Sequence, residues 1–283
     1  HHLSSPLPYR RAKDQTVEDF CDELVKEFEQ KIEELGSENI AAFIAEPVLA
    51  SGGCIVPPDG YFKKIYDLCK KNEIIFIADE VVTGFGRLGH FFSSEEIFGV
   101  VPDIITCAKG ITSGYLPLGA VLFSNKLIAD LKNDSSLFFH GYTYSGHPAC
   151  CAAALKNIEI LKRDKILEHV REIEPYFFEK LNKLYELPIV GDIRGKGMMA
   201  GIECVINKDS KEALVLDKAI GSRIDEESIK LGLIIRPLYH ICVLSPALII
   251  NRSQIDELTE KLYQAISNTI DQLQTEGLWS QHK

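Results

Sequence analysis

Ile74-Ile75-Phe76-Ile77-Ala78-Asp79-Glu80 and Asp103-Ile104-Ile105-Thr106-Cys107-Ala108-Lys109 are two short apolar runs that each close on ionisable residues. Four to six apolar residues without polar alternation read as strands buried on both faces, the pattern of a parallel sheet. Ile40-Ala41-Ala42-Phe43-Ile44-Ala45 is a third such run, ending at Glu46-Pro47, and Ala120-Val121-Leu122-Phe123 predicts a fourth strand. Helical patterns lie between them. Val17, Phe20, Leu24, Val25, Phe28, Ile32 and Leu35 recur at helical spacing, with Thr16 placed to cap and Gly36 to stop. Phe62, Ile65, Tyr66 and Cys69 mark another helix after the glycine- and proline-rich stretch 51–60. Strands alternating with helices predict an α/β fold with a mostly parallel sheet covered on both faces.

Downstream, the sequence reads as helical from Ala149 to about Leu184, with breaks near Arg163-Asp164 and at Pro175. Residues 189–205 and 233–250 read as strand-rich. Helices are expected around 214–230 and 252–275, the last opened by Asn251 with Gln254 three positions on. The expected division is a partial large domain over 1–184 and a small C-terminal α/β domain over 185–283.

Bulk properties exclude several classes of partner. The 283 residues are 46% hydrophobic and 25% charged, ordinary for a globular chain, and carry a formal net charge of -10 spread along the sequence. That charge repels nucleic acid and anionic membrane surfaces. Eight cysteines form no CxxC pair and eight histidines no HExxH array. No metal site is expected, and the thiols read as reduced residues of a cytoplasmic protein. No run approaches the roughly 18–20 apolar residues that span a bilayer.

Ligands of parallel α/β sheets bind at the carboxyl ends of the strands. Glu46, Asp79 and Lys109 each follow an apolar run and so reach that edge from three separate strands. A lone aspartate or lysine is usually a solvated surface residue, but these positions predict partial desolvation. One chemistry fits an amine and a carboxylate there. Pyridoxal phosphate is held by a lysine amine, and a carboxylate keeps its ring nitrogen protonated so that the ring can accept electrons. Lys109 would supply the amine and Asp79 the carboxylate. Released by substrate, Lys109 could then move a proton.

Longer motifs surround these residues. Asp79-Glu80-Val81-Val82-Thr83-Gly84-Phe85-Gly86-Arg87-Leu88-Gly89, Pro102-Asp103-Ile104-Ile105-Thr106-Cys107-Ala108-Lys109-Gly110 and Ser113-Gly114 resemble, at the expected spacing, the signature of the class III aminotransferases. The likeness continues through Glu46-Pro47-Val48, His140-Gly141-Tyr142-Thr143-Tyr144-Ser145-Gly146-His147-Pro148, Gly191-Asp192-Ile193-Arg194-Gly195-Lys196-Gly197 and Leu233-Ile234-Ile235-Arg236-Pro237. It runs from about residue 20 to the last helix.

The resemblance implies fold type I of the pyridoxal-phosphate enzymes, a homodimer with a shared active site, and roles for single residues. Lys109 would be the Schiff-base lysine and Asp79 the partner of the ring nitrogen, with Val81 against one ring face. Thr143 would donate to the cofactor phosphate of the neighbouring subunit; outside its motif it would pass for an ordinary loop residue. Arg236 would receive the carboxylate of the keto-acid acceptor, since a planar fork suits a carboxylate; the alternative is a buried structural ion pair. Glu46 reads as architectural.

Two departures narrow the expectation. Ornithine and GABA aminotransferases usually carry a second glutamate five residues after that of Glu-Pro, where this chain has Ser51. This tilts the expected reaction toward an omega-amine or diamine donor with pyruvate as acceptor. The family's N-terminal phosphate loop and ring-stacking aromatic do not occur in these 283 residues, so the sequence predicts a fragment that binds cofactor poorly. Rival readings are a P-loop ATPase using Asp79-Glu80 for magnesium, a catalytically inactive fragment, and a relative that decarboxylates or migrates the amine. The ATPase reading lacks GxxxxGK[ST].

Overall fold

Thr16 accepts a hydrogen bond from the Asp19 backbone N–H, and the Asp19 carboxylate accepts one from Thr16 N–H. This capping box starts α1 (Val17–Leu35), which stops at Gly36 in a positive-φ conformation. The structure, a computed structural model, describes residues 1–133, 138–214 and 219–280. After α1 come β1 (Ala42–Ala45), α2 (Tyr61–Lys71), β2 (Ile75–Asp79), the single turn α3 (Ser93–Glu96), β3 (Ile104–Cys107), β4 (Ala120–Phe123), α4 (Asn125–Asn133) and α5 (Pro148–Arg163). β1, β2 and β3 lie side by side and parallel, and β4 joins β3 antiparallel.

Side chains alternate across a strand, and the register sorts them into two faces. Phe43, Ala45, Phe76, Ala78 and Ile105 meet the buried stripes of α1 (Cys21, Leu24, Phe28, Ile32) and α2 (Tyr61, Phe62, Ile65, Cys69). Cys107 on the same face packs with Ala154 and Leu161 of α5. The opposite face carries Ile44, Ile77, Asp79, Ile104, Thr106 and Val121, of which Ile44 is 59% and Val121 54% exposed. The expectation of cover on both faces therefore holds for one. An apolar run reports what a strand can bury, not whether the same stretch of chain supplies the cover.

The chain divides into two compact units, His1–Pro47 with Pro57–Leu167, and Val48–Val56 with Glu168–Lys283. The sequence placed its boundary near 185. The difference lies in α6 (Ile166–Leu181), whose Val170, Ile173, Phe177 and Leu181 enter the core of the second unit. Pro175 stands inside α6 rather than breaking it. An interior proline costs about 3 kcal/mol, and the buried residues on both sides of it offset that cost.

The second unit continues with β5 (Val190–Lys196), β6 (Met199–Asn207), β7 (Glu212–Ala213), α7 (Ile220–Lys230), β8 (Arg236–Leu238), β9 (Ile241–Leu244) and α8 (Arg252–Thr275). Its sheet runs β5-β6-β9-β8, all antiparallel, with β7 beside β6. Asn251 and Gln254 form the expected capping box of α8. The helix expected around 214–230 starts at Ile220, and its residues 215–218 fall outside those described. Arg194, nearly buried, bonds Glu203 at 2.5 Å and Asp192 at 2.8 Å. Its Nε donates to the Gly53 carbonyl at 2.8 Å, which ties Val48–Val56 to this sheet.

Candidate active site

The register of β2 on β3 pairs Ile77 with Ile104, Ala78 with Ile105 and Asp79 with Thr106. Asp79 is thus the last residue of β2, and Lys109 lies two residues beyond the end of β3, at the same carboxyl edge. Glu46 follows β1 at that edge and is half-buried. Asp79 is half-buried on the partly open face. Its Oδ1 accepts from the Val81 N–H at 3.0 Å, and among the described residues Asp79 makes no other side-chain hydrogen bond. One carboxylate oxygen is anchored to the turn that carries Val81, and the other is left to accept from a ligand.

Glu80 has a different task. It is fully buried, and its carboxylate accepts five hydrogen bonds at 2.5 to 2.8 Å from the Thr83 hydroxyl and from the backbone and hydroxyl groups of Ser93 and Ser94. Hydrogen bonds to a charged group contribute about 1.5–3 kcal/mol each. The carboxylate therefore folds residues 80–94 into a fixed hairpin, where Phe85 N–H meets the Phe91 carbonyl and Gly86 N–H that of His90. The hairpin backs the lysine turn. A Cβ on Gly110 would stand 3.0 Å from Phe85 Cβ and 3.2 Å from the Gly84 carbonyl, so the approach depends on glycine.

Lys109 opens a one-turn 3-10 helix, Lys109–Thr112, with φ of +46°, and its side chain is exposed. A left-handed conformation in a residue other than glycine costs roughly 1–3 kcal/mol and persists only where neighbours fix it. Thr143 is exposed in the turn that precedes α5, within a stretch where Phe138, Phe139, Tyr142 and Tyr144 are also exposed. Arg236 is the exposed first residue of β8, opposite Val243, and forms no ion pair among the described residues. That corrects the reading of Arg236 as a buried ion pair: the apolar run before it includes Ile234, itself 87% exposed. Glu46, Asp79, Val81 and Lys109 thus share one sheet edge, Thr143 lies elsewhere in the first unit, and Arg236 belongs to the second.

The magnesium reading of Asp79-Glu80 fails on the same geometry. Glu80 is consumed by its five donors, and the stretch nearest to a P-loop in composition, Gly191 to Lys196, lies within β5 rather than in a loop at a helix N-terminus. Among the described residues no three metal-binding side chains gather. The sequence missed the role of Glu80. Only the three hydroxyl-bearing residues Thr83, Ser93 and Ser94 could have signalled it, and their spacing follows no period.

The family model of the class III aminotransferases matches residues 1–266. The chain belongs to the class III aminotransferases. It is 44% identical over 258 residues to the putrescine–pyruvate aminotransferase of Pseudomonas aeruginosa, covering 91% of this chain and 56% of that protein. It is 41% identical to the chloroplastic gamma aminobutyrate transaminase 3 of Solanum lycopersicum, over 95% of this chain and 52% of that protein. Among solved structures, the (S)-enantioselective omega-transaminase of Thermomicrobium roseum superposes with a TM-score of 0.92 at 43% identity, over 96% of this chain and 60% of that one. The chain therefore spans between about half and two thirds of the length of these relatives. Its fold is that of the pyridoxal-phosphate transaminases, fold type I, with a mostly parallel sheet in one unit and an antiparallel sheet in the other.

Proposed function

We propose that the protein transfers an amino group from an amine or omega-amino donor to a keto acid, with pyridoxal phosphate held on Lys109. The observation that carries this reading is the shared strand edge. Asp79 and Lys109 leave adjacent parallel strands, and one Asp79 oxygen remains available to a donor. An amine and a carboxylate so placed suit an aldehyde and a protonated ring nitrogen. When bound, the cofactor supplies an electron sink for the bond broken at the donor carbon.

The remaining work falls to side chains of this chain. Asp79 holds the ring-nitrogen proton through its second oxygen, and Val81 limits the ring on one face. Lys109 first anchors the cofactor. Its amine, once displaced by the donor, takes the proton from the donor carbon and returns it at the other end of the reacting system. Arg236 binds the carboxylate of the acceptor, for which an exposed guanidinium without an ion-pair partner among the described residues is available. Thr143 donates its hydroxyl to the cofactor phosphate in a second copy of the chain, so the active enzyme is a homodimer. The exposed aromatic stretch around Thr143 supports that reading. Eight free cysteines fit a cytoplasmic setting, and among the described residues no helix is long and apolar enough to cross a membrane.

Ser51 favours pyruvate over 2-oxoglutarate, because the glutamate that pairs with a substrate-side arginine in the ornithine and GABA aminotransferases is absent from that position. The kinship with a putrescine–pyruvate enzyme points the same way. Turnover with putrescine should be at least several-fold faster with pyruvate than with 2-oxoglutarate; a clear preference for 2-oxoglutarate contradicts the acceptor assignment. Lys109→Ala should lose turnover altogether, and substantial residual activity would contradict the mechanism.

A further inference from the structure

The left-handed turn at Lys109 is held from a second side by a residue outside every motif read above. Asn157, in the third turn of α5, directs its side-chain amide at the lysine turn. Its Nδ2 donates to the Gly110 carbonyl at 2.8 Å and to the Ile111 carbonyl at 3.1 Å. Its Oδ1 accepts from the Ser113 hydroxyl at 2.7 Å. Two carbonyls can only accept, so this orientation alone satisfies all three contacts. Ser113 itself sits at φ +51°, which places left-handed residues at both ends of the turn. The turn's own backbone bonds are Ile111 N–H to the Ala108 carbonyl at 3.1 Å, and Gly114 N–H to the Lys109 carbonyl and Ser113 N–H to the Gly110 carbonyl, both at 3.2 Å. These are longer than the contact Asn157 makes to Gly110. The packing of Phe85 behind Gly110 limits the turn from the hairpin side.

We propose that Asn157 is a positioning residue for Lys109. Its amide pins the carbonyls of the two residues after the lysine, and Ser113 fixes which end of the amide faces them. The turn is thereby kept in the conformation that presents the Lys109 amine at the strand edge. This rests on the assignment of Lys109 as the cofactor lysine. Asn157 touches neither cofactor nor substrate in this account, and it acts on the reacting amine only through the backbone.

The consequence is confined to the step that uses the Lys109 amine. In that step the Nζ lone pair would attack the aldehyde carbon of pyridoxal phosphate, the carbon–oxygen double bond giving way to a carbon–nitrogen one, and the two amine protons would leave with the aldehyde oxygen as water. Pyridoxamine phosphate has no aldehyde and binds without the lysine. The test compares, in the full chain, the rate at which borohydride traps pyridoxal phosphate on Lys109 with the equilibrium affinity for pyridoxamine phosphate. Asn157→Asp keeps the acceptor for Ser113 and sets a carboxylate oxygen against two carbonyls; Asn157→Ala removes all three bonds. Both should slow trapping at Lys109 by tenfold or more and leave pyridoxamine phosphate affinity within about twofold of the parent. Leu24→Ala, a core truncation in α1 remote from the turn, serves as the stability control and should lower the melting temperature without a comparable loss of trapping rate.

Trapping at the parent rate in both Asn157 variants overturns the proposal. So does an equal fall of trapping and affinity, or a loss of trapping in Leu24→Ala that matches its loss of stability. If the parent protein binds pyridoxamine phosphate yet traps no pyridoxal phosphate on Lys109, the assignment of the lysine fails and the role of Asn157 falls with it. That outcome is distinct from one confined to the Asn157 variants.

Discussion

Adjacent acidic residues at the end of β2 do opposite things. Asp79 keeps one oxygen for a ligand, whereas every acceptor of Glu80 is spent on the hairpin that backs the lysine turn. Glu80→Gln should therefore be costly despite its small change in shape. The amide can keep its oxygen on the backbone N–H groups of Ser93 and Ser94 only by turning its NH2 toward the Thr83 and Ser93 hydroxyls, which must then accept rather than donate, and all five bonds lose their charge assistance. The expected loss is about 2–4 kcal/mol of the first unit's stability in urea titration. A loss under about 0.5 kcal/mol would mean that the hairpin is held by other contacts. The place of Asp79 and Lys109 at the carboxyl edge was legible in the sequence, because each follows directly on an apolar run. Glu80 was not, since its partners lie up to 14 positions away without pattern. Nor was the exposure of Arg236, because an apolar run before a residue does not bury it.

Elements were easier to read than single contacts. Both capping boxes, the stop at Gly36 and the strands β2, β3 and β4 follow from local rules, whereas Pro175 continues α6 because the buried residues around it outweigh a local preference. α2 supplies a pH-dependent consequence. Burial pushes the Cys69 thiol up from 9.0 to about 12, with the Asp103 carboxylate adding to the effect. Burial likewise pushes the Tyr61 hydroxyl up from 10.0 to about 12, with the Glu27 carboxylate adding. Each group keeps its proton in the folded state at a pH where the unfolded chain releases it. Stability is thus unaffected below about pH 9 and falls as pH rises toward 12, by up to roughly 1.4 kcal/mol per pH unit for each group. Urea midpoints measured between pH 8 and pH 11 should decline, and Cys69→Ala should flatten the part of the slope between pH 9 and pH 10. A midpoint independent of pH across that range would show that these groups are not buried as described.

At the scale of the whole molecule, the architecture was predictable and its division less so. The sequence announces alternating strands and helices, but which helix belongs to which core depends on packing between distant segments, as α6 and Val48–Val56 show. The open face of the first sheet and the aromatic stretch beside Thr143 were likewise silent in the sequence. Phe139 is 94% exposed in a stretch that the proposed dimer would bury. Phe139→Asp should shift the assembly toward monomer in light scattering and weaken cofactor retention together with it; an unchanged mass would place the interface elsewhere. The central claim is narrower, that the amine at the end of β3 is the one that holds the cofactor. Peptide mass analysis after incubation with pyridoxal phosphate and borohydride reduction reads it directly. The phosphopyridoxyl group should appear on the peptide containing Lys109 and vanish in Lys109→Ala. Its appearance on another lysine, with Lys109 unmodified, would contradict the account.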